Sequence, residues 1–115
     1  MSSLRRLDAA TERAARVFLD RVAREYSVAG AVVFGSRARG DARPESDADV
    51  AVLLHGTPSR RMDEAMRMAD LAFDVMLETG ILMEALPLWE SEWEHPETFS
   101  NPRLIENIRR DGVRL

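Results

Sequence analysis

The chain has no cysteine and no lysine, and its 115 residues hold only one tyrosine, two tryptophans and two histidines. Without cysteine there is no disulfide framework, no thiolate nucleophile and no thiolate zinc site. Without lysine there is no P-loop lysine, no Schiff base and no lysyl-nucleotide intermediate; all sixteen basic residues are arginine. No apolar run approaches the ~20 residues that cross a membrane. The opening Met-Ser-Ser-Leu-Arg-Arg-Leu-Asp lacks the apolar core of a signal peptide. A cytoplasmic protein with no membrane partner is therefore expected. A net charge of −4 and a pI near 5.2 argue against a strong nucleic-acid footprint, which is ordinarily basic; a local arginine patch touching an RNA end stays open. The length suits a single domain, residues 1–115, able to bury a core but with little room for a second module.

What the chain does have is concentrated in residues 34–49, Phe-Gly-Ser-Arg-Ala-Arg-Gly-Asp-Ala-Arg-Pro-Glu-Ser-Asp-Ala-Asp. An apolar run ends at Gly35-Ser36, a polar loop follows, and Asp47 and Asp49 lead into a second apolar run, Val50 to Leu54. Residues two apart in a strand point to the same face, so the two carboxylates aim at one spot. Like charges that close raise each other's pKa unless a cation lies between them. Hard oxygen donors around a shared point suit Mg²⁺, which takes one or two carboxylates plus substrate phosphates. Gly35 lets the backbone turn sharply and a ligand come close. If residues 36–41 form a helical turn, their N–H groups, with the Ser36 hydroxyl, face an anion. Phosphate cradle and metal ligands in one segment suggest a nucleoside triphosphate with Mg²⁺.

Gly-Ser-x-Ala-x-Gly, a short spacer and Ser-Asp-x-Asp, matched at Gly35, Ser36, Ala38, Gly40, Ser46, Asp47 and Asp49, resemble the signature of the minimal nucleotidyltransferases, the smallest branch of the DNA polymerase beta-like superfamily. The chain's size fits that branch over nearly its whole length.

Around the motif the patterning predicts an amphipathic helix over 8–26, with Leu7, Ala10, Ala14, Val17, Phe18 and Val22 at helical spacing. Strands are predicted at 28–34 and 47–54. Thr57-Pro58-Ser59 reads as a helix start, and Met62, Ala65, Met66, Ala69, Phe73, Met76 and Leu77 as its core stripe, closed by Gly80. A third strand covers 81–88, with Pro87 at its end or on a sheet edge. Residues 89–100 form an acidic, aromatic connection in which Trp89 and Trp93 make a small hydrophobic anchor. Asn101-Pro102 caps a last helix that Gly112 ends. Gly30 is read as a point of close packing against a helix. This order points to an α/β (α+β) fold, a small mixed sheet packed with helices. His55 and His95 read as turn and loop residues, and no histidine pair has metal-ligand spacing.

The resemblance implies transfer of a nucleoside monophosphate, AMP from ATP by default, from a triphosphate to a hydroxyl, with release of pyrophosphate. It implies that Gly35 and Ser36 hold the outer phosphates, that Asp47 and Asp49 bind Mg²⁺, and that a third carboxylate on a neighbouring strand binds metal and takes the acceptor proton. Glu84, alone among apolar residues 81–88, is the candidate, with Glu78 and Glu90 as fallbacks; the alternative is an edge-strand glutamate facing water. Arg37, Arg39 and Arg43 lie near where triphosphate would sit, as phosphate contacts or as solvated loop residues, and Ser46 is expected to orient the carboxylates or cap the strand turn. The acceptor is expected to be a partner protein or small molecule. In the family such proteins pair with a small helical HEPN protein as antitoxin to toxin, in some cases adenylylating it; a homo-oligomer is the other assembly left open. The competing reading is a catalytically weak scaffold that neutralises a partner by contact, through an exposed tail around Trp89, Trp93 and Phe99.

Overall fold

The computed structural model describes residues 6–115; the part of the domain and N-terminus readings that concerns residues 1–5 lies outside the described residues. Helix α1, Ala9–Ala23, starts where Asp8 accepts from the Thr11 N–H at 2.8 Å and from the Thr11 hydroxyl at 2.8 Å, a capping interaction that holds the Asp8 carboxyl below its ordinary range. Strand β1, Val28–Phe34, runs into the one-turn helix α2, Ser36–Arg39. After the loop come β2, Ala48–Leu54, the long helix α3, Arg61–Thr79, and β3, Met83–Trp89. A short α4, Glu90–Glu94, a 3-10 turn and α5, Pro102–Asp111, lead to the two-residue β4, Val113–Arg114. The sheet order is β3-β2-β1-β4. β1 is antiparallel to β2 and to β4, and β2 is parallel to β3 across the α3 crossover.

Both faces of the sheet are covered, which is why its strands are apolar on both sides. Val50, Val52 and Leu54 of β2, with Ala31 and Val33 of β1, face Phe18 and Val22 of α1 and Met68, Ala72 and Val75 of α3. Ala51 and Leu53, with Val32 and Leu88, face Phe99 and Ile105 and Ile108 of α5. Burying a large side chain such as Phe18 contributes roughly 3 kcal/mol. A clamp ties the β3–α4 corner to α3. The Arg61 guanidinium lies over the rings of Trp89 (5.3 Å) and Phe99 (4.8 Å), and donates to the Pro87 carbonyl at 2.7 Å and to buried Glu92 at 2.5 and 3.0 Å.

Several expectations change. The stripe Met62, Met66, Phe73, Leu77 points outward; α3 packs inward through Met68, Ala72 and Val75 instead, because two apolar arcs share this helix and only one meets the sheet. Helix α3 begins at Arg61 rather than at 57–59. Trp89 and Phe99 are buried, so the exposed aromatic tail of the scaffold reading does not exist. Gly30 sits at a register irregularity between β1 and β2, beside the Arg114 side chain rather than against a helix. Pro87 lies within β3, which is an edge strand, so its missing N–H costs no ladder bond. Helix α4 and strand β4 are additions. Gly112 ends α5 in ordinary extended backbone; glycine is needed there because a Cβ would fall 2.4 Å from a Val32 methyl and 2.5 Å from the Ile108 carbonyl oxygen.

Candidate active site

The carboxylates gather where β2 and β3 begin. The Ala48 N–H donates to the Leu82 carbonyl at 2.9 Å, tying the two strand starts together. Register then sets Glu84 directly beside Asp49. Both share the parity of Ala51, Leu53 and Leu88, on the face toward α5. Asp47 lies two residues before Asp49, just ahead of β2, exposed like Glu84; Asp49 is half-buried. Glu84 is thus both an edge-strand glutamate reached by water and a neighbour of Asp49. The fallback acids are elsewhere: Glu78 pairs with Arg21 at 2.5 Å, and Glu90, the first residue of α4, lies 3.8 Å from His55 beyond the far ends of β2 and β3.

Gly35 makes room for this arrangement. Its φ of +76° is a conformation that side chains disfavour. A Cβ there would lie 2.2 Å from Oδ2 of Asp49, so the carboxylate sits in the space that glycine leaves. Burial pushes the Asp49 carboxyl above its ordinary value, and the negative charges of Glu84 and then Asp47 push it further, while Arg39 draws it back. Among the described residues, no three His, Cys, Asp or Glu side chains already converge to metal-gripping distances. The donor set is nevertheless hard oxygen only, gathered with one sign of charge, which fits Mg²⁺ and not a soft metal.

The loop arginines divide. Arg37 is buried and turned inward. Its Nε and Nη2 donate to the Ser46 carbonyl at 2.9 and 2.7 Å, Nη2 also to the Pro44 carbonyl at 2.8 Å, and Nη1 to the Thr11 hydroxyl at 2.9 Å. This moves Arg37 from the expected phosphate contact to the brace that holds the loop carrying Asp47 to α1. Ser46 completes the brace: its carbonyl takes Arg37 and its hydroxyl accepts the Arg43 N–H at 3.1 Å. Arg39 stays exposed, 3.5 Å from Asp41 and close enough to Asp49 to lower its pKa. The Gly35 carbonyl accepts from the N–H groups of Ala38 and Arg39, both at 3.1 Å, and the first N–H groups of this turn are those a helix leaves without an internal partner.

A hollow of about 180 Å³ opens between this turn and α5, lined by Gly35, Arg39, Phe34, Asn107 and Asp111 among others. Asn107 and Asp111 escaped the sequence reading. Their four-residue spacing marks one helical face, but nothing local shows that this face meets Gly35. A larger hollow of about 610 Å³ is lined by Arg6, Asp8, Arg43 and Thr79 among others; neither hollow has Asp47, Asp49 or Glu84 in its lining, and only the smaller one reaches Gly35 and Arg39. His55 bonds Ser27 at 2.9 Å beyond the far end of β2, as a turn residue.

Known proteins bear on this geometry. The model of the nucleotidyltransferase domain family matches residues 15–111. Among solved structures, that of an inferred nucleotidyltransferase from Sulfolobus solfataricus is similar with a TM-score of 0.53 at 21% identity, over 97% of this chain and 90% of that one; the likeness is one of fold. No curated protein matches the chain significantly.

Proposed function

The chain belongs to the nucleotidyltransferase domain family, and from that premise we propose that it moves AMP from ATP, with Mg²⁺, onto a hydroxyl of a partner protein or small molecule. The observation that carries the proposal is the set of Asp47, Asp49 and Glu84 on two adjacent strand starts, with Asp49 packed against Gly35. In the step, the acceptor oxygen bonds to the α-phosphorus, the bond from that phosphorus to the bridging oxygen breaks, and pyrophosphate departs with the electron pair. Bound Mg²⁺ would supply positive charge to the attacking and leaving oxygens.

The chain's own residues do the rest. Asp47 and Asp49 hold the metal, and Glu84 joins them and takes the acceptor proton. Gly35 and Ser36 bring backbone N–H groups and a hydroxyl to the outer phosphates, and the Arg39 guanidinium lies beside them. Arg37 and Ser46 keep the loop in register behind Asp47. The raised pKa of Asp49 has a clear sign: without counter-charge the carboxyl resists ionisation, and a cation relieves it. The acceptor side is open, since Asp47 and Glu84 are both exposed, which suits a hydroxyl presented by a second macromolecule; a helical HEPN-type protein in a toxin–antitoxin pair is the partner proposed. Calorimetric titration of ATP with Mg²⁺ tests the site. Wild type binds only with metal, and Asp47→Asn/Asp49→Asn loses that binding; equal binding by both proteins refutes the assignment.

A further inference from the structure

Helix α3 carries more apolar surface than its own fold uses. Met68, Ala72 and Val75 are buried inward. Outward, Met62, Met66, Phe73 and Leu77 are 72, 64, 52 and 69% exposed, with Ala69 exposed among them. Their spacing keeps all five on one side of the helix. Helix α1 and the turn after it are elsewhere: they reach α3 through Arg21 to Glu78 and Tyr26 to Glu64, roughly 160° around the helix from the stripe at 100° per residue.

We propose that this face docks on the same face of a second copy of the chain, as an antiparallel α3–α3 pair about a two-fold axis. The stripe is self-complementary. With the axis between Ala69 and Asp70, Met62 comes level with the second copy's Leu77 and Met66 with its Phe73, while the small Ala69 sits at the crossing and lets the helices approach. On the rim the same register brings the two Asp70 side chains together at the axis and flanks them with one Arg67 from each copy. Asp63, Arg67, Asp70 and Asp74, all exposed, follow one side of the stripe, and antiparallel pairing sets Arg67 of one copy level with position 72 of the other, between its Asp70 and Asp74. A surface patch that matches itself under a two-fold rotation is what an isologous dimer requires. The four large side chains expose on the order of 500 Å² of apolar area, at the upper end of what a monomer shows as its largest patch. A two-fold contact would bury about twice that, near the lower bound for a specific interface. The dimer leaves catalysis unobstructed, because α3 covers one face of the sheet while Asp49 and Glu84 share the parity of the face toward α5.

Sedimentation equilibrium on the full chain tests this. Wild type is expected at twice the 13.0 kDa chain mass at about 100 µM. Phe73→Glu, at a half-exposed position, is expected to keep its far-ultraviolet circular dichroism and raise the dimer dissociation constant at least about 100-fold. A charge swap identifies the occupant independently. Arg67→Asp and Asp70→Arg/Asp74→Arg each weaken self-association, and mixing the two variants restores a dimer containing one of each. A monomeric wild type at that concentration, an undiminished Phe73→Glu dimer, or a mixture no better associated than its components overturns the proposal.

Discussion

Replacing Asp49 by asparagine should stabilise the protein while removing its ligand response. Asp49 is half-buried, stands in register with Glu84 and follows Asp47 by two residues, and both neighbours push its carboxyl up, after burial itself. Like charges directly opposite across strands destabilise by roughly 0.2–1 kcal/mol. Asparagine keeps the shape and removes the charge, so a gain of about 1 kcal/mol at pH 7 follows from relief of Glu84 and Asp47 together. For a chain of this size that corresponds to a rise in Tm of about 4 °C. The pH dependence has a definite sign. A carboxyl whose folded pKa is raised gives up stability as pH climbs through that folded value, and below the ordinary value of 3.8 it is neutral whether folded or unfolded. The variant's advantage should thus be present at neutral pH and vanish toward pH 3 (on the acid side of that ordinary value). Differential scanning calorimetry across pH, with and without ATP and Mg²⁺, reads both effects: the ligand raises wild-type Tm and leaves Asp49→Asn unmoved. A variant less stable than wild type at pH 7, or one that still gains Tm with the ligand, refutes the reasoning.

The two loop arginines should separate by assay. Arg37→Lys cannot reproduce the inward fork to Ser46, Pro44 and Thr11 and should lose about 1–3 kcal/mol in denaturant melts; Arg39→Ala should melt like wild type and raise the KM for nucleotide about tenfold. A melt unchanged by Arg37→Lys would sink the brace. Gly35→Ala meets both a positive φ and the Asp49 carboxylate, so it should cost about 1–3 kcal/mol and weaken Mg²⁺-dependent binding; normal binding would show that Asp49 does not need that space. Glu92→Ala strips the acid from Arg61, which is 31% exposed at its side chain; urea unfolding should lose about 2–3 kcal/mol, below the figure for a fully buried pair.

The site was more legible than the fold around it. Gly35, Ser36, Asp47 and Asp49 announce themselves because turn geometry and carboxylate spacing are local, and the structure keeps them together. Glu84 could be named but not placed: only the parallel register of β2 with β3 puts it beside Asp49, and register is long-range information. Arg37 misled because a guanidinium next to a phosphate-binding turn has the same sequence whether it points outward or, as here, back to Thr11. The α3 stripe misled for a related reason. Helical periodicity marks an apolar arc without saying what lies against it, and this helix has two. Asn107 and Asp111 were invisible because their place beside Gly35 depends on which end of α5 meets it. Pro87 was read correctly as an edge feature since a missing N–H has one physical consequence in any sheet.

The central claim is that Asp47, Asp49 and Glu84 form one metal-binding, nucleotide-dependent site. The most direct measurement is a crystal structure with Mn²⁺ and a non-hydrolysable ATP analogue, using the metal's anomalous signal. The account predicts anomalous density about 2.0–2.2 Å from oxygens of Asp47 and Asp49, with Glu84 adjoining and the outer phosphates on Ser36 and Arg39. Density away from Asp49, or a triphosphate bound in the hollow beside Arg6 and Arg43, would contradict it.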